Sequence, residues 1–241
     1  METSTKNGRV ALITGASQGL GRALADELAC AGWTLVVDAR RANRLEAATA
    51  ELARQTPVIS IAGDIGDAAH RDQLVTAVND LGRLDLLVNN ASTLGASPLP
   101  ALDGIDLDVL RRTYEVNVIA PLALTQQLLP ALVAAHGTIV NVTSDAAVEA
   151  YAGWGGYGSS KAALEHASRI LSVERPDLRV LVVDPGDMRT QMHQDAFPGE
   201  DISDRPEPDA SVPGLLALID GEQPSGRYEA RAMALAEPRQ S

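Results

Sequence analysis

RVALITGASQGLGR, residues 9–22, passes from an apolar run of strand length into a helical segment through a turn carrying Gly15, Gly19 and Gly21. Glycines in such a turn let the chain reverse tightly, let backbone N–H groups approach a pyrophosphate, and let the helix sit close to the strand. The spacing is G-x-x-x-G-x-G rather than the commoner G-x-G-x-x-G, and no Gly-Lys-Ser/Thr follows, so it is not a P-loop. Three glycines alone often mark only a turn. Their placement between a strand and a helix favours a dinucleotide-binding turn.

Five more runs resemble the first: TLVVD (34–38), PVISIA (57–62), LDLLVN (84–89), GTIVNVTS (137–144) and LRVLVVD (178–184). Each is almost continuously apolar, as strands covered on both faces are. Between them, 19–31, 43–54, 67–80, 105–132 and about 155–173 read as helices. Strict alternation implies a parallel sheet with right-handed crossovers. The fold class is therefore α/β: a single doubly wound, Rossmann-like domain over residues 1–241, with a parallel sheet of about seven strands flanked by helices on both faces.

The 241 residues carry no Pro/Gly/Ser-rich linker near the middle, which favours one domain over two. A net charge of −12 and a pI of about 4.7 argue against nucleic acid as a partner. Cys30 is the single cysteine, which excludes an intrachain disulfide and a cysteine-cluster metal site and fits reducing, cytoplasmic surroundings. The start, METSTKNGRVALITG, lacks the apolar core of a secretory signal. Between Glu115 and Asp145 there is no Asp, Glu, Lys or Arg, but Gln126, Gln127, Pro130, His136, Gly137 and Asn141 interrupt the stretch, which reads as buried core rather than a membrane span. No His/carboxylate cluster has the spacing of a metal site. From 186 to 213 the chain is rich in Pro, Gly, Asp and Glu and directly follows a strand. That position, at the carboxyl edge where open α/β sheets bind ligands, favours a mobile flap over a disordered acidic loop. His193 and the acidic run Asp195–Asp209 are expected to form a solvated face.

YGSSKAALEHASRIL, residues 157–171, holds Lys161, and among the 20 basic residues only Lys6 and Lys161 are lysines. Tyr157 and Lys161, four apart on a helix, share one face. A nearby cation favours the phenolate and so lowers a tyrosine pKa toward the range useful for proton transfer. A half-buried tyrosine beside a snorkelling lysine is the competing explanation. VVDARR ends the second strand with Asp38 and Arg40. The acid would accept from the ribose hydroxyls of NAD, while the arginine would pair with the 2′-phosphate of NADP. Asp64 either bonds an adenine or caps the helix beginning near Asp67. Asn89 and Asn90 are polar where the fourth strand ends. Asn117 lies inside the uncharged stretch, where an unsatisfied amide would cost ~1–3 kcal/mol, and Ser144 ends the fifth strand.

Taken together these residues resemble the short-chain dehydrogenase/reductase family from about Arg9 to Thr190. The similarity lies in Thr14-Gly15-Ala16-Ser17-Gln18-Gly19-Leu20-Gly21, Asn-Asn-Ala at 89–91, Asn117, Ser144, Tyr-x-x-x-Lys at 157–161, and Pro-Gly…Thr at 185–190. The resemblance implies hydride transfer between NADP, or NAD, and a carbonyl or alcohol carbon of a small, apolar or aromatic metabolite. Tyr157 would be the general acid/base, Ser144 would hold the substrate oxygen, and Lys161 would lower the tyrosine pKa and hold the ribose. Asn117 would position a relay water. The same resemblance assigns dinucleotide binding to Gly15, Ser17, Gln18, Gly19, Leu20, Gly21, Arg40, Asp64, Ile65, Asn90, Ala91, Pro185, Gly186, Met188 and Thr190, with Tyr157 and Lys161. Arg40, with Ala39 before it, favours NADP, whereas Asp38 and the lack of a basic residue at Gln18 speak for NAD.

Substrate contacts are expected from Thr93, Leu94, Ala146, Val148, Tyr151, Trp154, Met188, Met192 and Phe197. A homodimer through the helices at 105–132 and 155–173 is expected; a tetramer is the less favoured alternative, because the carboxy-terminal SGRYEARAMALAEPRQS lacks the Gly-Gly-rich ending that in many members of the family forms part of a tetramer interface. A non-enzymatic nucleotide-binding regulator with the same fold would have no chemical need for Asn117, Ser144, Tyr157 and Lys161 together. A sugar epimerase would need more chain after Pro185 than is present.

Overall fold

The computed structural model describes residues 8–235; Lys6, the first seven residues of the amino-terminal stretch read for a signal, and the last six residues lie outside them. Seven strands form one sheet: β1 (Val10–Ile13), β2 (Thr34–Ala39), β3 (Val58–Ala62), β4 (Leu86–Asn89), β5 (Thr138–Val142), β6 (Arg179–Asp184) and β7 (Gly226–Glu229). All neighbours are parallel, in the order β3-β2-β1-β4-β5-β6-β7. The order reverses between β1 and β4, and at such a switch point the loops at the carboxyl ends part to leave a crevice.

Between the strands run α1 (Gly19–Cys30), α2 (Ala42–Leu52), α3 (Ala68–Leu81), α4 (Leu107–Tyr114), α5 (Ala120–Ala135) and α6 (Gly155–Glu174). Beyond β6 come α7 (Gln191–Ala196), α8 (Val212–Asp220) and α9 (Ala230–Leu235). Leu24 and Leu28 of α1, Leu52 of α2 and Leu215 and Leu218 of α8 cover one face of the sheet. Leu74 and Val78 of α3 and Leu124, Leu128 and Leu132 of α5 cover the other. Full burial of each such side chain is worth about 1.5–3 kcal/mol, which is why the apolar runs dictate the layers.

Where one helix is expected over 105–132, α4 and α5 are joined by a π-turn at Glu115–Ile119. Pro121 explains the break: in an α-helix its ring would collide with the carbonyl of Asn117, four residues earlier, and it has no N–H to offer that oxygen. The whole run from Leu107 to Ala135 is long and apolar enough to cross a bilayer by length and composition. Its buried side chains, from Val116 through Leu132, nonetheless pack into the sheet as core, as expected from the polar interruptions.

β7 answers a gap in the sequence reading, which found no strand in SGRYE. Val180 donates its N–H to Ser225 Oγ at 3.0 Å, and Arg227 reaches from β7 to Asp184 at 2.9 Å and to Glu165 at 3.3 Å. The strand is held by side chains as well as by its ladder, so hydrophobicity does not announce it.

Candidate active site

One cavity of about 980 Å³ opens along the carboxyl edge of the sheet at the switch point. Its first wall is the β1–α1 turn. Gly15 has φ +70°, and a Cβ built at Gly21 would stand 2.4 Å from Asn90 Nδ2 and 2.7 Å from the Gly15 carbonyl oxygen. Only glycine permits that approach. Asn90 in turn donates to the carbonyls of Thr14 (2.8 Å) and Gly15 (3.2 Å), tying the end of β4 to the turn. Gln18, at the N-cap of α1, makes no side-chain cap, and the first turn of the helix contains no acid. Gln18, Gly19 and Leu20 therefore present the positive end of a helix to the cavity.

Asp38 proves to be structural. Its carboxylate is buried, accepting from the Gly15 N–H at 2.7 Å and pairing with His70 Nε2 at 2.9 Å. Each oxygen is already bonded within the protein and the side chain is buried, which weighs against Asp38 as the main ribose contact even though the residue borders the cavity. Arg40 stands beside it on the cavity rim, and two further arginines, Arg41 and Arg44, line the same end. Arg44 bonds Gln18 Oε1, so the cation that Gln18 itself lacks is supplied from α2. Among the described residues the guanidiniums of Arg40 and Arg41 form no hydrogen bond. The sequence reading passed over Arg41 and Arg44, although ARRANR places all three within five residues.

Asp64 also lines the cavity, but it does not cap α3: that role falls to Asp67, which accepts from the Ala69 N–H at 3.0 Å. Asp64 accepts from the Gly66 N–H at 2.9 Å and pairs with Arg112. Asn89 is no turn former either; its buried amide donates to Asn141 Oδ1 at 2.7 Å.

Ser144, Tyr157 and Lys161 meet in the middle of the cavity. Ser144 Oγ donates to Asp145 at 2.8 Å, and Asp145 also accepts from the Tyr151 hydroxyl at 3.0 Å. Lys161, buried, donates from Nζ to the Val142 carbonyl at 2.8 Å, with the ammonium 5.6 Å from the centre of the Tyr157 ring. The expected lowering of the phenol is reversed: burial pushes Tyr157 above tyrosine's ordinary range, and Ser92 and Ser144 draw it back only in part. Desolvation of a phenolate outweighs a cation directed at the main chain. Burial likewise pushes Lys161 down, to about 8. Asn117 is completely buried and lies behind the cavity rather than on its wall. Its oxygen accepts from Thr93 N (2.9 Å) and Ser92 Oγ (3.1 Å), and its nitrogen donates to the Thr93 carbonyl and Ser160 Oγ (both 2.9 Å). The side chain positions the loop after β4 against α6 and has no bond to spare.

Pro185, Gly186, Met188 and Thr190 line the cavity with Ser17, Ile65 and Ala91, whereas Gly21 acts from behind the wall. Thr93, Leu94, Ala146, Tyr151, Trp154, Met192 and Phe197 line the other end. Val148 does not; it is 56% exposed, outside the cavity. His193 departs from the expected solvated face: it lines the cavity with its side chain only 10% exposed.

The turn without side-chain bulk, the uncapped helix end and the arginine rim fit a phosphorylated dinucleotide. A family model described as short chain dehydrogenase matches residues 9–201. Sepiapterin reductase from Mus musculus is 36% identical over 208 residues, covering 80% of each chain. A short chain dehydrogenase from Shigella flexneri, solved with NADP, superposes with a TM-score of 0.84 at 30% identity, covering 92% of this chain and 97% of that one. The alcohol dehydrogenase from the archaeon Thermococcus sibiricus, complexed with 5-hydroxy-NADP, gives 0.83 at 25% identity, with 95% and 99% covered.

Proposed function

The chain belongs to the short-chain dehydrogenase/reductase family, and from that premise we infer that it transfers a hydride between NADP and the carbonyl or alcohol carbon of a small metabolite. The carrying observation is that Ser144, Tyr157, Lys161 and three rim arginines face one cavity. The bound dinucleotide supplies or accepts the hydride. Tyr157 gives the reduced oxygen its proton, or takes it back in the oxidative direction, and Ser144 Oγ turns from Asp145 to donate to that oxygen. The phenol that burial holds protonated is suited to act as the acid. The Lys161 ammonium stabilises the phenolate left behind and holds the ribose hydroxyls. Asn117 serves through its main chain: Pro121 cannot donate to its carbonyl, which makes that oxygen the candidate support for a relay water.

The preference for NADP follows from Asp38 being spent on Gly15 and His70 while Arg40 faces the cavity. Fluorescence titrations with NADPH and NADH in parallel test it. NADPH binds more tightly, and Arg40→Ala lowers the NADPH/NADH affinity ratio by about tenfold, the loss of one charge-assisted pair; an unchanged ratio refutes the clamp. Apolar and aromatic lining at the far end supports a substrate of that character. The reading extends to a cytoplasmic homodimer, supported by the exposed Ile119 and Leu122 on the α4–α5 run and by Ile170 and Val173 on neighbouring α6.

A further inference from the structure

Phe197 is the only phenylalanine in the chain, and of its seven aromatic residues four, Tyr151, Trp154, Tyr157 and Phe197, line the cavity. Three of them form a series. Trp154 meets Tyr157 edge-on at 5.7 Å between ring centres and Phe197 at 5.9 Å. Phe197 then lies 4.9 Å from the His193 ring, tilted by 37°. The wall thus runs from the reacting hydroxyl of Tyr157 to an imidazole brought in by α7.

That imidazole is nine-tenths buried, and its Nε2 has no hydrogen-bond partner among the described residues. A buried polar atom left unpaired is costly, and such exceptions call for an explanation. The ring is held in place all the same. Its backbone N–H bonds Thr190 Oγ1 at 3.2 Å, capping α7, and the ring stacks on Phe197. On the other side, Nδ1 faces Asp187 Oδ1 at 3.8 Å, and Arg205 approaches the second Asp187 oxygen at 3.6 Å. With Nδ1 turned toward that carboxylate, Nε2 is the ring nitrogen left to meet a ligand in the cavity.

We propose that His193 reads the substrate: Nε2 accepts a hydrogen bond from an N–H or O–H group that a flat carbonyl compound carries at the end remote from its reacting carbon. With the carbonyl at Tyr157 and Ser144, a planar molecule stacked along Trp154 and Phe197 brings its far end to the imidazole. The ligand satisfies the orphaned nitrogen, and an otherwise identical molecule lacking the donor leaves it unpaired, which is how a polar site discriminates most sharply. His193 is a specificity residue, and the proposal rests on the oxidoreductase reading for the position of the carbonyl alone.

The test uses matched aryl ketones of one and two rings, each pair bearing either a hydroxyl or a methyl group at the far end. kcat/KM is measured with NADPH, and ketone binding to the protein with NADP is measured by calorimetry. Wild type prefers hydroxylated members by about tenfold or more. His193→Phe, which keeps an aromatic ring beside Phe197 and removes the nitrogen, erases that preference, while His193→Leu, which also lacks any acceptor, serves as a second variant should the first fold poorly. NADPH affinity is unchanged in both. A preference that survives in both variants, or no preference in wild type in either assay, overturns the proposal. Binding that discriminates through His193 without turnover would uphold the recognition role and defeat the oxidoreductase reading, whereas turnover without discrimination would do the reverse.

Discussion

Lys161 carries its charge in a place where burial makes that charge expensive, and this sets a pH limit. Its ammonium is shifted down from lysine's ordinary 10.5 to about 8, so the cation is present below that value and lost above it. Tyr157 moves the other way and stays protonated through the same range. Carbonyl reduction needs the acid phenol and the cation together, so kcat/KM for the dinucleotide, which reports the free protein, falls as pH rises through about 8. A profile flat well beyond that value would show that the ammonium does not matter. That Tyr157, Lys161 and Ser144 would share one cavity was legible in the sequence from the order and spacing of the family motifs, not from the Tyr/Lys pair alone. Asp38 was not, since its commitment depends on His70, thirty-two residues on, and on a backbone N–H. His193 was not, because acidic neighbours in sequence say nothing about a ring packed under Phe197.

At the scale of elements, period and punctuation located the six apolar strands and the helices between them, with boundaries shifted by a few residues. The failures have distinct physical causes. The π-turn at 115–119 comes from the proline at 121, whose effect falls four residues upstream on the backbone of Asn117. β7 is an edge strand, half-buried and held by Arg227 and Ser225, so it lacks the apolar run by which the inner strands declare themselves. The β2–α2 turn was read one arginine at a time. Only the helical path of α2 brings Arg44 back beside Gln18, and a three-arginine rim is a property of the turn rather than of any one residue.

For the molecule as a whole, alternation in the sequence was enough for a parallel, doubly wound sheet, but not for its strand order, which crossovers decide in three dimensions. That order places the β1–α1 turn and the end of β4 side by side, and so gathers residues from 15 to 208 around one cavity. The apolar side chains left outside, up to Val173 at 80% exposed, suit a homodimer through α4–α5 and α6. Light scattering is expected to give twice the 25.3 kDa chain mass, and Val173→Asp to weaken the association; a monomer mass for the wild type would contradict it. The whole assembly as a hydride-transfer enzyme is tested most directly by carbonyl-dependent oxidation of NADPH in wild type and Tyr157→Phe side by side. The variant is expected to lose turnover by about a hundredfold or more, the scale of a general acid, with NADPH binding retained. Full turnover in Tyr157→Phe would contradict the assignment of the proton to this tyrosine.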